Sequence, residues 1–221
     1  MIRRPPRSTL SSSSAASDVY KRQAYSNVRK GGINAINVIK GDKLIEVKLT
    51  DGNNDIVIGT RKGLAIRFNE SDVREMGRTA TGVRGIKLGA GDKVIGFIVV
   101  RSASTLLVVT DKGFGKRSKI DDYRITRRGG KGIITVRTGE KNGNLIAIKE
   151  INDKDELVII TNSGMVIRQG VRKIRVMGRA TQGVKLINLK EGDSIADVAK
   201  VVSEDENINE DIDKDESNLG M

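Results

Sequence analysis

No cysteine, histidine or tryptophan occurs in the 221 residues, proline appears twice, and aromatic residues make up 3%. Each absence removes a class of chemistry. Without cysteine there is no disulfide framework or thiolate metal site. Without histidine the commonest metal ligand and the commonest general base are both missing. The shortage of aromatic rings argues against the stacking platforms that hold single-stranded nucleic acid. No apolar run approaches the roughly 20 residues of a membrane helix, and nothing has the apolar centre of a secretory signal. A soluble, cytoplasmic protein without membrane contact is expected, long enough for one domain or two small ones.

Charge is abundant but uneven. The formal net charge is +12. Residues 1–23 carry five Arg/Lys against Asp18, and residues 203–221 carry eight Asp/Glu against Lys214, which leaves +15 on the body between them. A basic body with an acidic tail points to a polyanionic partner. The opening "MIRRPPRSTLSSSSAASDVYKRQ" is rich in Arg and Ser and superficially matches an organelle transit peptide. It resembles translated sequencing-adaptor sequence more closely, and repeat-like sequence begins abruptly at Ala24. Residues 1–23 are therefore read as a non-native leader outside the fold. The tail "SEDENINEDIDKDESNLGM" lacks aromatics and is expected to be disordered; "DENINEDIDKDE" lacks the central glycine of a calcium loop.

The body repeats. "TRKGLAIR" (Thr60 to Arg67), "TDKGFGKR" (Thr110 to Arg117) and "TNSGMVIR" (Thr161 to Arg168) share Thr, Gly and Arg at the same offsets. Downstream, "VREMGRTATGV", "YRITRRGGKGI" and "IRVMGRATQGV" share Arg74, Arg124 and Arg175, then Arg78, Arg128 and Arg179, then Gly82, Gly132 and Gly183. The period is about 50 residues, with copies near 32–81, 82–131 and 132–182 and a partial copy over 183–202. In each copy two short apolar runs flank a glycine-containing connection, the pattern of a β-hairpin. Two further runs follow, such as "INAINVI" and "KLIEVKL", separated by "GD" at Gly41, Gly91 and Gly192 and by "NGN" (Asn142 to Asn144) in the third copy. Four strands per repeat predict an all-β, propeller-like disc over residues 24–202.

Gly63, Gly113 and Gly164 are explained by a positive φ in the hairpin turn. The arginine columns need a different reason. Arg67, Arg117 and Arg168 close a strand, where a cation could merely solubilise an edge, yet two more columns follow in the next loop. Cations recurring on the same part of every blade predict an anion-binding rim. A curved positive track suits duplex DNA, held through its phosphates and bent. In "RRGGKG", Gly129, Gly130 and Gly132 would let backbone N–H groups approach phosphates while Arg127, Arg128 and Lys131 supply charge.

From about Ala24 to Val202 these motifs resemble the C-terminal domain of DNA gyrase A, whose repeats are similar to "IRFNESDVREMGRTATGVRGIKL" (Ile66 to Leu88) almost throughout. The resemblance implies a β-pinwheel that wraps DNA around a basic rim and supports negative supercoiling. The family's hallmark box, Q-R-R-G-G-K/R-G, matches Arg127, Arg128, Gly129, Gly130, Lys131 and Gly132 and departs at Thr126. Its place in the chain resembles the degenerate copy of a later blade, so the disc is expected to be incomplete, lacking its first blades. Exposed strand edges and self-association are expected to follow.

The resemblance also bears on catalysis. The family's cleavage tyrosine directly follows an arginine in a separate domain; Tyr20, Tyr25 and Tyr123 lack that context, and Tyr123 is assigned to packing or phosphate contact. No P-loop pattern occurs. The chain is expected to hold no cofactor, with ATP and Mg²⁺ used by another protein of the holoenzyme. Partners implied are duplex DNA, gyrase B and the N-terminal part of gyrase A in a heterotetramer acting at the nucleoid. The candidate DNA contacts are Arg67, Arg74, Arg78, Arg117, Arg124, Arg127, Arg128, Lys131, Arg168, Arg175 and Arg179 together with the box glycines. The alternatives are the related topoisomerase IV domain and a propeller serving as a platform for an acidic protein.

Overall fold

The computed structural model describes residues 6–11 and 16–18 as backbone, and residues 30–77, 79–101 and 104–202 in full. Tyr20, Tyr25, Arg78 and the acidic tail lie outside the described residues. Among the described residues, fifteen strands form four antiparallel sheets, and the helical turns are single 3₁₀ turns.

Each hairpin forms where two apolar runs meet at a Thr-x-x-Gly turn. The pairs are β4 (Asp55–Thr60) with β5 (Leu64–Asn69), β8 (Thr105–Thr110) with β9 (Phe114–Lys119), and β12 (Glu156–Thr161) with β13 (Val166–Gly170). Gly63, Gly113 and Gly164 all have positive φ, and their N–H groups close on the carbonyls of Thr60, Thr110 and Thr161. The threonine column has a structural cause as well. Thr60 and Thr161 accept the amides of Leu64 and Met165 on their hydroxyls, so these buried side chains latch the turn.

A third strand flanks each hairpin: β7 (Val94–Val100) on β4, β11 (Leu145–Ile151) on β8, and β15 (Ile195–Val201) on β12. The fourth strand has only two residues and comes from the repeat after next. β10 (Ile133–Ile134) pairs with β5, and β14 (Val184–Lys185) pairs with β9. Thus each of these blades is assembled from more than one repeat, and successive blades are hooked together. The sheet preceding them has β3 (Leu44–Leu49) beside β1 (Pro6–Ser11), then β2 (Ala16–Asp18), then β6 (Val83–Arg84). β1 and β2 thus come from the leader that the sequence sets aside. β3 pairs with β1 in a register broken at two places. The run "INAINVI", expected as a strand, has no strand assignment. Its counterparts in later repeats provide the two-residue outer strands.

Blades stack face to face, so their central strands are buried on both faces and read as continuous apolar runs such as "LLVV". Three clusters result, centred on Phe68 and Phe97, on Leu106 and Tyr123, and on Leu157 and Val198. Each fully buried Leu, Ile, Val or Phe contributes about 1.5–3 kcal/mol. Tyr123 is 1% exposed, hydrogen-bonds the Thr135 hydroxyl, and its phenol pKa is raised by burial. Packing is therefore its role, which excludes phosphate contact.

Candidate nucleic-acid interface

After each hairpin a 3₁₀ turn leads into a cationic loop, and that loop crosses to the neighbouring blade to become its outer strand. The turns are Glu70–Asp72, Ile120–Asp122 and Val171–Lys173. A buried residue, Val73, Tyr123 or Ile174, anchors each loop at its start. The next residue is therefore turned outward, and Arg74, Arg124 and Arg175 are all exposed.

The other two arginine columns behave differently. Arg67 donates from Nε to Asp55 Oδ2 at 2.9 Å and from Nη1 to the Ile120 and Tyr123 carbonyls at 3.0 and 3.2 Å. Arg117 is 5% exposed; its Nε donates to the Ile174 carbonyl at 2.8 Å and its Nη1 pairs with Asp153, whose carboxyl it holds below the usual carboxylate range. Both side chains fasten one blade to the 3₁₀ turn of the next, and Thr126 and Met177 donate backbone N–H groups back to the Arg67 and Arg117 carbonyls. All three Arg67 guanidinium nitrogens have protein partners and Arg117 is buried in its joint, so Arg67 and Arg117 are withdrawn from the candidate DNA contacts. Arg168, the third member, is exposed and meets only Glu156 among the described residues. Arg128 donates to the Asp72 and Arg84 carbonyls, and Arg179 to the Ile134 carbonyl, so this column also ties loops together while staying partly open. Arg78 would belong with them but lies outside the described residues.

Three cations of the second loop remain unengaged. Arg124, Arg127 and Lys131 are exposed and pair with no described residue. With Arg67 behind them they wall a depression of about 240 Å³ whose floor includes Gly130 and Gly132. Arg127 and Lys131 have no counterpart in the flanking loops, which place Gly77 and Thr81, or Gly178 and Gln182, at those positions. The glycines serve the fold more than the ligand. The Gly129 N–H donates to the Gly85 carbonyl at 2.6 Å and the Gly130 carbonyl accepts from Lys87 at 2.8 Å, so the Gly129 amide is not offered to a phosphate. Gly132 has φ +75°, and a Cβ there would sit 2.6 Å from the Ala65 carbonyl oxygen; only glycine fits.

Two features escaped the sequence reading. Arg84 and Lys185 end the two-residue outer strands and are exposed, adding charge beside the loops. Their signal is a basic residue at the same offset in two repeats out of three. Lys116 is fully buried, where the same column has Ile66 and Ile167, and its Nζ donates to the Gly178 and Arg179 carbonyls of the third loop. Burial, with the Arg179 charge nearby, lowers its pKa to about 8 despite Asp122. A lone lysine in an apolar column was its signal.

A model of the DNA gyrase C-terminal domain, a β-propeller, matches residues 54–101, 104–152 and 155–201, more than half of the chain. The chain belongs to this family. The three matched segments of the gyrase-family chain each hold one hairpin and the flanking strand that completes it. The DNA gyrase A protein of Staphylococcus epidermidis is 45% identical over 194 residues, covering 86% of the chain and 22% of that protein. Its Staphylococcus aureus counterpart is 46% identical over 198 residues, covering 87% and 22%. The chain thus spans about a fifth of these relatives' length. Among solved structures, a topoisomerase IV C-terminal domain superposes with a TM-score of 0.84 at 25% identity, over 89% of this chain and 62% of that one. A gyrase A C-terminal domain superposes with a TM-score of 0.79 at 23% identity, over 88% and 65%.

Proposed function

We propose that the chain is the duplex-DNA-binding and wrapping module of a gyrase A protein. The observation that carries this reading is the set of exposed cations on loops joining successive blades: Arg124, Arg127 and Lys131 at the centre, Arg74 and Arg175 on either side. Arg168, Arg128 and Arg179 add partly engaged charge. Phosphate contacts of this kind position a duplex without reading its sequence, and loops spaced along a curved stack favour a bent path. The module supports ATP-dependent negative supercoiling by a cytoplasmic, nucleoid-associated holoenzyme. ATP and Mg²⁺ belong to gyrase B and DNA cleavage to the N-terminal part of gyrase A. Identity of 45% and 46% to two gyrase A proteins supports the gyrase assignment.

The test is duplex binding as a function of salt. Neutralising about six phosphates makes affinity fall roughly a thousandfold between 50 and 200 mM salt. Replacing Arg124, Arg127 and Lys131 by Glu should abolish most of that affinity and flatten the slope. A shallow slope in the unaltered chain would instead favour an acidic protein as the partner.

A further inference from the structure

The described fold has an unfilled acceptor at one end and an unused donor at the other. β5 and β9 each receive a two-residue strand from the repeat after next, but β13 borders only β12, and its outer edge is open among the described residues. The open edge shows in the side chains. Val166 is 61% exposed, whereas Ala65, at the same position of β5, is fully buried. A Cβ on Gly63 would fall 2.2 Å from the Val136 carbonyl oxygen and one on Gly113 2.8 Å from that of Ile187; Gly164 has no described atom within 4 Å. The Gln169 amide nitrogen is buried without a partner among the described residues, while Ser118 in the same column donates to the Met177 carbonyl of the following blade's loop.

The donor is Gly32–Ile36. By offset, Gly32 and Ile33 occupy the column of Gly82 and Val83, Gly132 and Ile133, and Gly183 and Val184, and the last three pairs each introduce an outer strand. The hydrogen bonding agrees. Asn37, Lys87 and Arg137 donate equivalent backbone N–H groups to Ala80, Gly130 and Thr181. Gly32 keeps the φ of its column, +76° against +75° at Gly132 and +85° at Gly183. Gly132 and Gly183 press on the carbonyls of Ala65 and Gly115, however, and Gly32 has no described atom within 4 Å. Residues 31–36 form no strand.

We propose that the chain associates head to tail, Gly32–Ile33 of one molecule adding the missing outer strand to β13 of a second copy. The register follows from the existing joints. Ile133 pairs with Ala65 and Val184 with Gly115, so Ile33 takes Val166 and Asn34 takes Met165. In the established joints the carbonyls of Gly63 and Gly113 accept the amides two and three residues beyond the strand's first residue. Gly164 accordingly accepts from Ala35 and Ile36. Because donor and acceptor are different surfaces, the contact is heterologous and propagates as an open chain unless it closes into a ring.

Sedimentation of the full chain, free of nucleic acid, reads the association, and the lack of cysteine allows the register to be read by cross-linking. The chain should associate with rising concentration. Ile33→Pro, which removes a strand N–H, should shift it to monomer without changing its melting temperature. Under mild oxidation, chains with Ile33→Cys mixed with chains carrying Val166→Cys should yield the mixed disulfide, and substitution at Ile167 in place of Val166 should not. A monomer at high concentration would overturn the proposal and leave the β13 edge to a repeat from outside this chain. Equal cross-linking at residues 166 and 167, or association untouched by Ile33→Pro, would overturn it too.

Discussion

Arg117 and Arg127 belong to the same repeat, are separated by one 3₁₀ turn, and are used in opposite ways. The first is sealed in the joint between blades, and the second stands in solvent. Replacing Arg117 by Ala strands the Ile174 carbonyl, at a cost of about 2 kcal/mol, seen as a lower melting temperature. Arg127→Ala should leave melting unchanged and weaken duplex affinity. Recurrence alone does not mark a ligand-binding cation. A joint repeated in every blade marks the sequence as strongly as a rim does, and the columns of Arg67 and Arg78 prove to contain joints. What distinguishes Arg127 and Lys131 is that they do not recur. Lys116 gives a pH test. Its pKa is lowered from 10.5 to about 8 by burial, so between those values the unfolded chain binds the additional proton and stability rises with pH. Below about 8 the lysine is charged in both states and its burial cost is complete. The native chain should therefore melt at a higher temperature as pH rises from 8 to 10.5, and Lys116→Ile, the residue of the neighbouring repeats, should remove that rise.

At the scale of elements, the hairpins were legible because apolar runs around Thr-x-x-Gly have one economical solution, and the flanking strands because they follow a turn pair. The outer strands were not legible. Two residues are too few for any alternation to register, and their place is set by a neighbouring blade that local sequence does not describe. Gly132 holds one such strand in place. Gly132→Ala combines a positive φ with a 2.6 Å approach to the Ala65 carbonyl, a strain of about 1–3 kcal/mol. The result should be faster hydrogen exchange at Thr135 and Val136, whose amides bond the Gly63 carbonyl. The exceptional "NGN" also has a physical cause. Elsewhere a loop carboxylate accepts from the hairpin, Asp92 from Lys62 and Asp193 from Ser163. Opposite the third repeat's "NGN" the carboxylate lies instead on the second repeat's hairpin, and Asp111 accepts from Asn144. The contact survives with its charge moved to the other side.

For the whole molecule, the blades present cationic loops in series, and the disc class was legible from the 50-residue period. The interlock between blades was not, because the two-residue strands that make it carry no pattern of their own. The acidic segment 203–221 and the basic body belong to the same chain. Its deletion should tighten duplex binding if it competes with DNA for the rim, and unchanged affinity would remove that role. Wrapping is tested most directly on relaxed closed-circular DNA, bound by the full chain at saturating concentration and treated with a nicking-closing topoisomerase. The proposed function requires a change in linking number that grows with bound protein and disappears when Arg124, Arg127 and Lys131 are replaced by Glu. An unchanged linking number on fully bound DNA would contradict it.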